Sequence, residues 1–555
     1  MADSSAQTKK GRMTLKTIVL FVCLVVVHSA CSMSTVAGFS HSFVSNPPKR
    51  RAASIAHINP AQRKLAGHET CMIFPFPTNL FSSNVLGGSN RKTTLMRGLG
   101  LGGAALAFSS NLKRAGTSFF RNIFATKSGV GSLDSEGLPS TELDMIFGMN
   151  NGGAESKKKV LILFSDTGGG HKASALSLEA AMNRLYPGKF DFDIVDIWTD
   201  HGSWPYNRFV PGYQFLAKNP LMWKAFYEYG RLPLSRKFSE LSTQLTCYSS
   251  FKKCIEASNP DLVISVHPLC QDIPLKALKA MGGGKRKVPF ATVVTDLGSA
   301  HPTWFDPRAD RVFVPSDALY KTAKRCGLQD GQIVQHGLPV REGFWAPKRT
   351  KAQLRRELGL GAAERAVLVV GGGDGVGGLQ AVATSVIDRL GQQADLKSQV
   401  VVVCGKNEEV RSALERRRRP ANVNVVVNGF VKNMDEWMGA VDCIITKAGP
   451  GTIAEAAISG LPCMLSSFLP GQEEGNIPYV IEGGYGDFST NPRKIADTVG
   501  YWFQDPELLN RMAVNAKADG KPDATLNIAR DLGSLVFDNR SEDKKLSEET
   551  RLAAQ

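Results

Sequence analysis

Acidic residues are almost missing from the first quarter of this 555-residue chain. Residues 1–130 hold sixteen Lys and Arg but only Asp3 and Glu69, a balance of +14. The whole chain carries +16, so everything after residue 130 nets only +2. A near-neutral body lacks the basic footprint of a nucleic-acid binder, and no such partner is expected. None of the ten cysteines forms a C-x-x-C pair or shares zinc-like spacing with histidine. They read as reduced, mostly buried thiols, and no metal or resident cofactor is expected. No apolar run reaches the roughly 20 residues that a membrane-spanning helix needs. Solenoid-length repeats and heptads are absent too. At roughly 100–200 residues per domain, the length predicts two to four units.

The acid-poor stretch reads as an address. "TIVLFVCLVVVHSACS" follows Lys9, Lys10, Arg12 and Lys16: a basic n-region, a short apolar h-region and small residues. A long stretch rich in Ser, Arg and Asn comes next, with the composition of a transit peptide. A signal followed by a transit segment resembles the bipartite leader of algae whose plastid lies inside extra membranes, which implies a plastid membrane, the envelope first. Residues 1–150 are therefore expected to be a largely disordered targeting leader and linker.

From Lys159 onward, apolar runs alternate with helical patterns. Candidate strands are "KVLILFS", "FDFDIVDI", "DLVISVH", "FATVVTD" and "DRVFVPS", then "RAVLVVG", "SQVVVVCG", "VNVVVNGF", "DCIITKAG" and "LPCMLSSF". Continuous apolar strands separated by helices predict α/β architecture with parallel sheets covered on both faces. A break near "GFWAPKRTKAQ" divides them into Rossmann-like, doubly wound domains over 157–345 and 346–540. Two such domains facing each other make a cleft at the carboxyl ends of their strands.

In the second half, "ITKAGPGTIAEAAISGLP" reads as strand, glycine loop, helix. Gly449 and Gly451 let backbone approach a ligand, Pro450 stiffens the turn, and Thr452 sits where the helix starts. A helix N-terminus suits a phosphate. Glu455 is within reach of sugar hydroxyls, although Thr452 with Glu455 also fits a plain capping box. Downstream, "PGQEEGN" gathers Gln472, Glu473, Glu474 and Asn476, a donor and acceptor set suited to a hexose or to a solvated loop. Arg341 in "GLPVR" is a fixed cation able to meet a diphosphate, or a surface arginine of the linker.

In the first half, "DTGGGHKAS" does not fit G-x-G-x-x-G, which counts against a dinucleotide dehydrogenase. His171 follows three glycines at a helix start, where the local dipole favours a neutral ring able to accept a proton. Its other reading is a histidine bound to a backbone carbonyl. Asp296, ending "ATVVTD", is placed either to orient that ring or to cap the next turn. Residues 190–230 contain twelve aromatics interleaved with Arg208, Lys218, Lys224 and Arg231, a pattern that suits either a bilayer interface or ordinary core. Trp204 and Pro205, in "SWPYN", are the better surface candidates.

"GGGH", "WPYN", "TDLGSAHPTWF", "GLPVR", "GGGDG", "TKAGPGTIAEA" and "PGQEEGN" together resemble the family-28 glycosyltransferases, and most closely their monogalactosyldiacylglycerol synthases. The resemblance spans about residues 157–535. It implies a GT-B fold, with UDP-galactose as donor substrate and diacylglycerol as acceptor at its sn-3 hydroxyl, by an inverting transfer. It places Arg341, Gly373, Gly451 and Thr452 by the diphosphate, Glu455 by the ribose, Val431 by uracil, and Gln472 and Glu473 on the galactose, and it counts Asp374 among the UDP-sugar-binding residues. Asp374 stands where the family commonly has Glu. The same resemblance makes His171 the general base and puts Pro205 and Trp304 against anionic phospholipid activators, phosphatidylglycerol or phosphatidic acid. It is compatible with a monotopic membrane protein and with a homodimer. Glucosyl transfer to diacylglycerol and GlcNAc transfer to a polyprenyl lipid are alternatives that the plastid-like leader disfavours. A nucleotide- or lipid-binding module without catalysis is a third.

Overall fold

The structure is a computed structural model describing residues 156–217, 219–346, 349–371 and 378–537. The leader and linker expected over 1–150, and Gly373 and Asp374, lie outside the described residues. Among the described residues twelve strands form two parallel sheets. The first contains β1 (Lys158–Phe164), β2 (Phe190–Asp196), β3 (Leu262–Ser265), β4 (Phe290–Val293), β5 (Arg311–Val314) and β6 (Ile333–Gln335), in the order β2-β1-β3-β4-β5-β6. The second contains β7 (Arg365–Val370), β8 (Ser398–Val403), β9 (Val423–Asn428), β10 (Cys443–Lys447), β11 (Cys463–Ser467) and β12 (Gly486–Phe488), in the order β12-β11-β10-β7-β8-β9. This is the GT-B pairing of doubly wound lobes.

The central strands form where Val, Ile and Leu dominate, because crossover helices cover both faces of each sheet, while the edge strands β2, "FDFDIVD", and β9, "VNVVVN", carry polar residues. Every residue of β8, "SQVVVV", is buried. Each sheet therefore has two cores, one per face. Leu161, Leu163 and Phe251 belong to one face of the first sheet, and Val160, Ile162 and Phe313 to the other. The chain's last described helix, over 524–537, returns to the first lobe, where Ile528, Leu532 and Val536 join that second core. Removing one such buried Leu or Ile side chain costs about 2–5 kcal/mol.

Strand order fixes where ligands bind. In the first sheet the order reverses between β1 and β3, and in the second between β7 and β10. The loops leaving those strands splay apart and open a crevice at their carboxyl ends. Five helices bear on the site: α1 (Gly170–Leu185), α2 (Phe209–Ala217), α3 (Pro220–Arg231), α4 (Pro233–Ser258) and α5 (Pro450–Ser459). α1 follows β1 and α5 follows β10, so each begins at a switch point. Among the described residues no helix is long and apolar enough to cross a bilayer. Six of the seven described cysteines are buried, and all seven are unbridged.

Candidate active site

The turn after β1 explains its glycines unequally. Gly169 caps α1 at φ 78°, a left-handed conformation that favours glycine. A Cβ on Gly168 or Gly170 would meet nothing within 4 Å; those two keep the space before the helix open. His171 then projects from the first turn. Its Nδ1 lies 2.8 Å from the Val266 carbonyl oxygen and 3.0 Å from Thr295 Oγ1. A carbonyl only accepts, so Nδ1 carries the proton and Nε2 keeps its lone pair. Burial drives the ring's pKa down to about 4, against opposing pulls from the Val266 carbonyl and the Asp166 charge. Burial is thus the main force that keeps the ring neutral.

His171 lines a cavity of about 640 Å³ whose surface is mainly apolar, with Trp198, Tyr213, Trp223 and Tyr227 in its walls beside charged residues such as Arg236, Asp272 and Arg308. His267, from the turn after β3, stands beside it with ring centroids 4.6 Å apart, edge to face. The Leu269 N–H donates to His267 Nδ1 at 3.2 Å, which leaves the proton on Nε2. Asp296 is also in the cavity wall. Its expected partnership with His171 is not what the structure has. Trp304 donates its indole N–H to Asp296 Oδ2 at 2.7 Å, and Val266 and Thr295 orient the histidine instead. Burial holds the Asp296 carboxyl at about 7, well above its ordinary 3.8; Glu473's charge adds to this, while bonds from Trp304 and Gln472 oppose it.

The same bond corrects the lipid role given to Trp304. It is fully buried, 0% exposed, with its indole nitrogen spent on Asp296, so it cannot meet a bilayer. The aromatic belt is corrected in the same way: of the twelve rings in 190–230 only Trp204, at 61%, is exposed. Ten of the others turn into the core or the cavity, and Phe215 and Pro205 are half-buried. The exposed apolar side chains on these helices are aliphatic. Leu221 and Met222 project from α3; Leu234, Leu241 and Leu245 lie along one face of α4.

In the second lobe, α5 starts at Pro450, whose missing N–H costs nothing at a first helical position, and it stops at Gly460 in the left-handed region. Its cap is Gly449, without a side-chain hydrogen bond, so Thr452 and Glu455 are not a capping box. A Cβ on Gly451 would meet nothing within 4 Å. The open N–H groups of this helix start remain available to an anion. Glu455 is buried and takes Arg341 bidentately, Nε to Oε1 at 2.8 Å and Nη2 to Oε2 at 2.7 Å. Those two residues, 114 positions apart, are thereby fixed beside the helix start, and Arg341 Nη1 remains available.

The loop after β11 divides the residues expected on the sugar. Gln472 reaches the cavity that holds His171. Glu473 is buried: one carboxylate oxygen pairs with Lys447, and the other accepts from the Leu469 N–H at 2.9 Å. Asn476 is corrected. Its Oδ1 accepts from the Gly298 N–H at 2.7 Å and its Nδ2 donates to the Ala448 carbonyl at 2.8 Å. That buried amide joins the lobes and faces no sugar. Val431 is half-buried against the second lobe's core. Among the described residues no group of His, Cys, Asp and Glu is arranged to hold a metal. Sequence reasoning missed His267 and Lys447, and took Tyr213 and Trp223 as part of an aromatic pattern suited to a bilayer interface or to core. His267 had a signal, since "SVH" ends a strand beside β1 as "TVVTD" ends β4.

Comparison with known proteins bears on both lobes. The family described as monogalactosyldiacylglycerol (MGDG) synthase matches residues 171–340, and the glycosyltransferase family 28 C-terminal domain matches residues 366–470. The chain is similar to monogalactosyldiacylglycerol synthase 1, chloroplastic, of Arabidopsis thaliana, 40% identical over 485 residues that cover 82% of this chain and 90% of that one. It is similar to the probable monogalactosyldiacylglycerol synthase, chloroplastic, of Nicotiana tabacum, 44% identical over 410 residues, 73% of this chain and 74% of that one. Among solved structures, MurG of Acinetobacter baumannii aligns at TM-score 0.46 and 16% identity over 68% of this chain and 99% of that one.

Proposed function

The chain belongs to the monogalactosyldiacylglycerol synthase family and is a galactosyltransferase that acts on diacylglycerol; we propose that His171 is its general base and the aromatic cavity its acceptor site. The observation that supports this is one cavity holding three things: an imidazole with its lone pair on Nε2, walls suited to acyl chains, and Gln472 from the donor lobe. Diacylglycerol enters with its chains against the aromatics and its sn-3 hydroxyl at His171. The hydroxyl oxygen bonds to galactose C1 as the bond from C1 to the UDP oxygen breaks, in line and from the opposite face. The hydroxyl proton passes to Nε2, and UDP departs with the electron pair. Arg341 and the N–H groups at the start of α5 take up the negative charge on the diphosphate. Gln472 meets the galactose; Glu473 acts behind it, holding Lys447 and the loop.

We place the exposed leucines of α3 and α4 at the membrane, with Trp204 and Pro205 beside them and the exposed Lys224, Arg231 and Lys237 toward anionic headgroups. Phosphatidylglycerol or phosphatidic acid is the activator this arrangement favours. The relatives named chloroplastic, together with the acid-poor first 130 residues, favour a plastid envelope reached through a bipartite leader.

The test supplies radiolabelled UDP-galactose or UDP-glucose with diacylglycerol vesicles, with and without phosphatidylglycerol. Label should enter the lipid from galactose; label from glucose alone would overturn the sugar assignment. His171→Ala should lower transfer by about 10²–10⁴-fold while calorimetry still detects UDP binding, and retained turnover would remove the base assignment.

A further inference from the structure

Three contacts tie the loop that carries Gln472 to α2 and α3. Trp223 donates its indole N–H to the Pro470 carbonyl at 3.0 Å. The Tyr213 hydroxyl donates to Gln472 Oε1 at 3.4 Å. Gly471 sits at φ +80°, and a Cβ there would fall 2.6 Å from Tyr227 Cδ1, so the loop backbone runs directly against that ring. Tyr213 and Trp223 pack edge to face with centroids 4.8 Å apart, which makes the contacts one unit. The helix that carries two of these rings faces two ways. Trp223 is buried, while its neighbours Leu221 and Met222 are exposed, Leu221 by 86%. The 12-residue α3 begins without a side-chain cap, and a helix this short takes its position from what packs on its sides.

We propose that α3 is a two-sided positioning element: lipid on its outer face fixes the helix, and Trp223 on its inner face fixes the Pro470–Gln472 loop against the donor's sugar. Trp223 is a positioning residue, because it acts through Gln472. The proposal rests on the reading of the leucine face as the membrane face. It makes affinity for the sugar nucleotide depend on whether the protein sits on a bilayer, even without acceptor.

The experiment titrates UDP-galactose, and separately UDP, into the full chain with and without phosphatidylglycerol vesicles free of diacylglycerol, so that nothing turns over. In the wild type, vesicles should tighten UDP-galactose binding several-fold and leave UDP binding unchanged. Trp223→Phe keeps a ring against Tyr213 but removes the N–H together with part of the indole's volume. It should weaken UDP-galactose binding on vesicles by about 2–10-fold, the loss of one hydrogen bond, abolish the vesicle effect and leave UDP affinity and vesicle sedimentation unchanged. A Trp223→Phe protein that responds to vesicles like the wild type, or that loses UDP affinity in step, overturns the proposal. Leu221→Glu separates the two readings: it should abolish sedimentation with vesicles and the vesicle effect together. If it sediments normally, the membrane face is misassigned, and the Trp223→Phe titration still decides whether that residue holds the loop.

Discussion

Asp296→Asn isolates the carboxyl that the cavity strains most. Asp296 is buried, accepts from Trp304 at 2.7 Å, and is held at about 7 against an ordinary 3.8. Between those values the folded protein keeps a proton that the unfolded chain has released, so this group's contribution to stability falls as pH rises through the window. A gap of about three pKa units at 1.36 kcal/mol each is worth about 4 kcal/mol. Asparagine still offers Trp304 an amide oxygen but cannot ionise. The wild type should therefore lose up to about 4 kcal/mol relative to Asp296→Asn between pH 4 and pH 8. Taking the difference cancels the opposite slope from His171, His267 and His301, whose pKa values burial lowers in both proteins. Urea unfolding at several pH values measures that difference. Infrared difference spectra of the two proteins follow the carboxyl itself, with a midpoint near 7. A constant stability difference across this range, with no protonated-carboxyl signal at pH 5–6, would refute the reasoning.

Glu455→Gln leaves Arg341 without its carboxylate. Because Arg341 is part-exposed, the loss should be about 1–2 kcal/mol in unfolding, with weaker UDP binding by calorimetry. Asn476→Ala removes both bonds that join Gly298 to Ala448 and should cost about 2–3 kcal/mol, read as faster amide exchange at Gly298. Trp204→Ala should weaken sedimentation with phosphatidylglycerol vesicles at unchanged thermal midpoint, since its ring supports no core.

All ten runs picked out in the sequence are strands: the central ones because burial on both faces calls for mostly apolar residues, the edge strands β2 and β9 in spite of the Asp and Asn residues they carry. The two that escaped, β6 and β12, are three-residue edge strands, too short and too polar to stand out. The glycine turns and the helix starts at His171 and Pro450 were legible for a related reason: a strand, a glycine turn and a helix in that order leave few alternatives. Side-chain partners were not legible. "TVVTD" announces an acid at a strand end, but nothing in it says that Trp304, eight residues on, will take that acid from His171. Likewise "EEGN" displays polar groups without revealing that Glu473 and Asn476 turn inward to Lys447, Gly298 and Ala448. Aromatic content alone cannot separate a cavity lining from a bilayer belt, since both call for Trp and Tyr with one polar edge satisfied.

The helix over 524–537 means that the first lobe is not a contiguous cassette, since the second is inserted between its sheet and its last helix. Anyone grafting a donor half from one relative onto the acceptor half of another must leave the tail with its original acceptor half. Otherwise Ile528, Leu532 and Val536 arrive at a surface shaped for different side chains. A chimera joined once, near residue 346, should misfold where one joined twice does not.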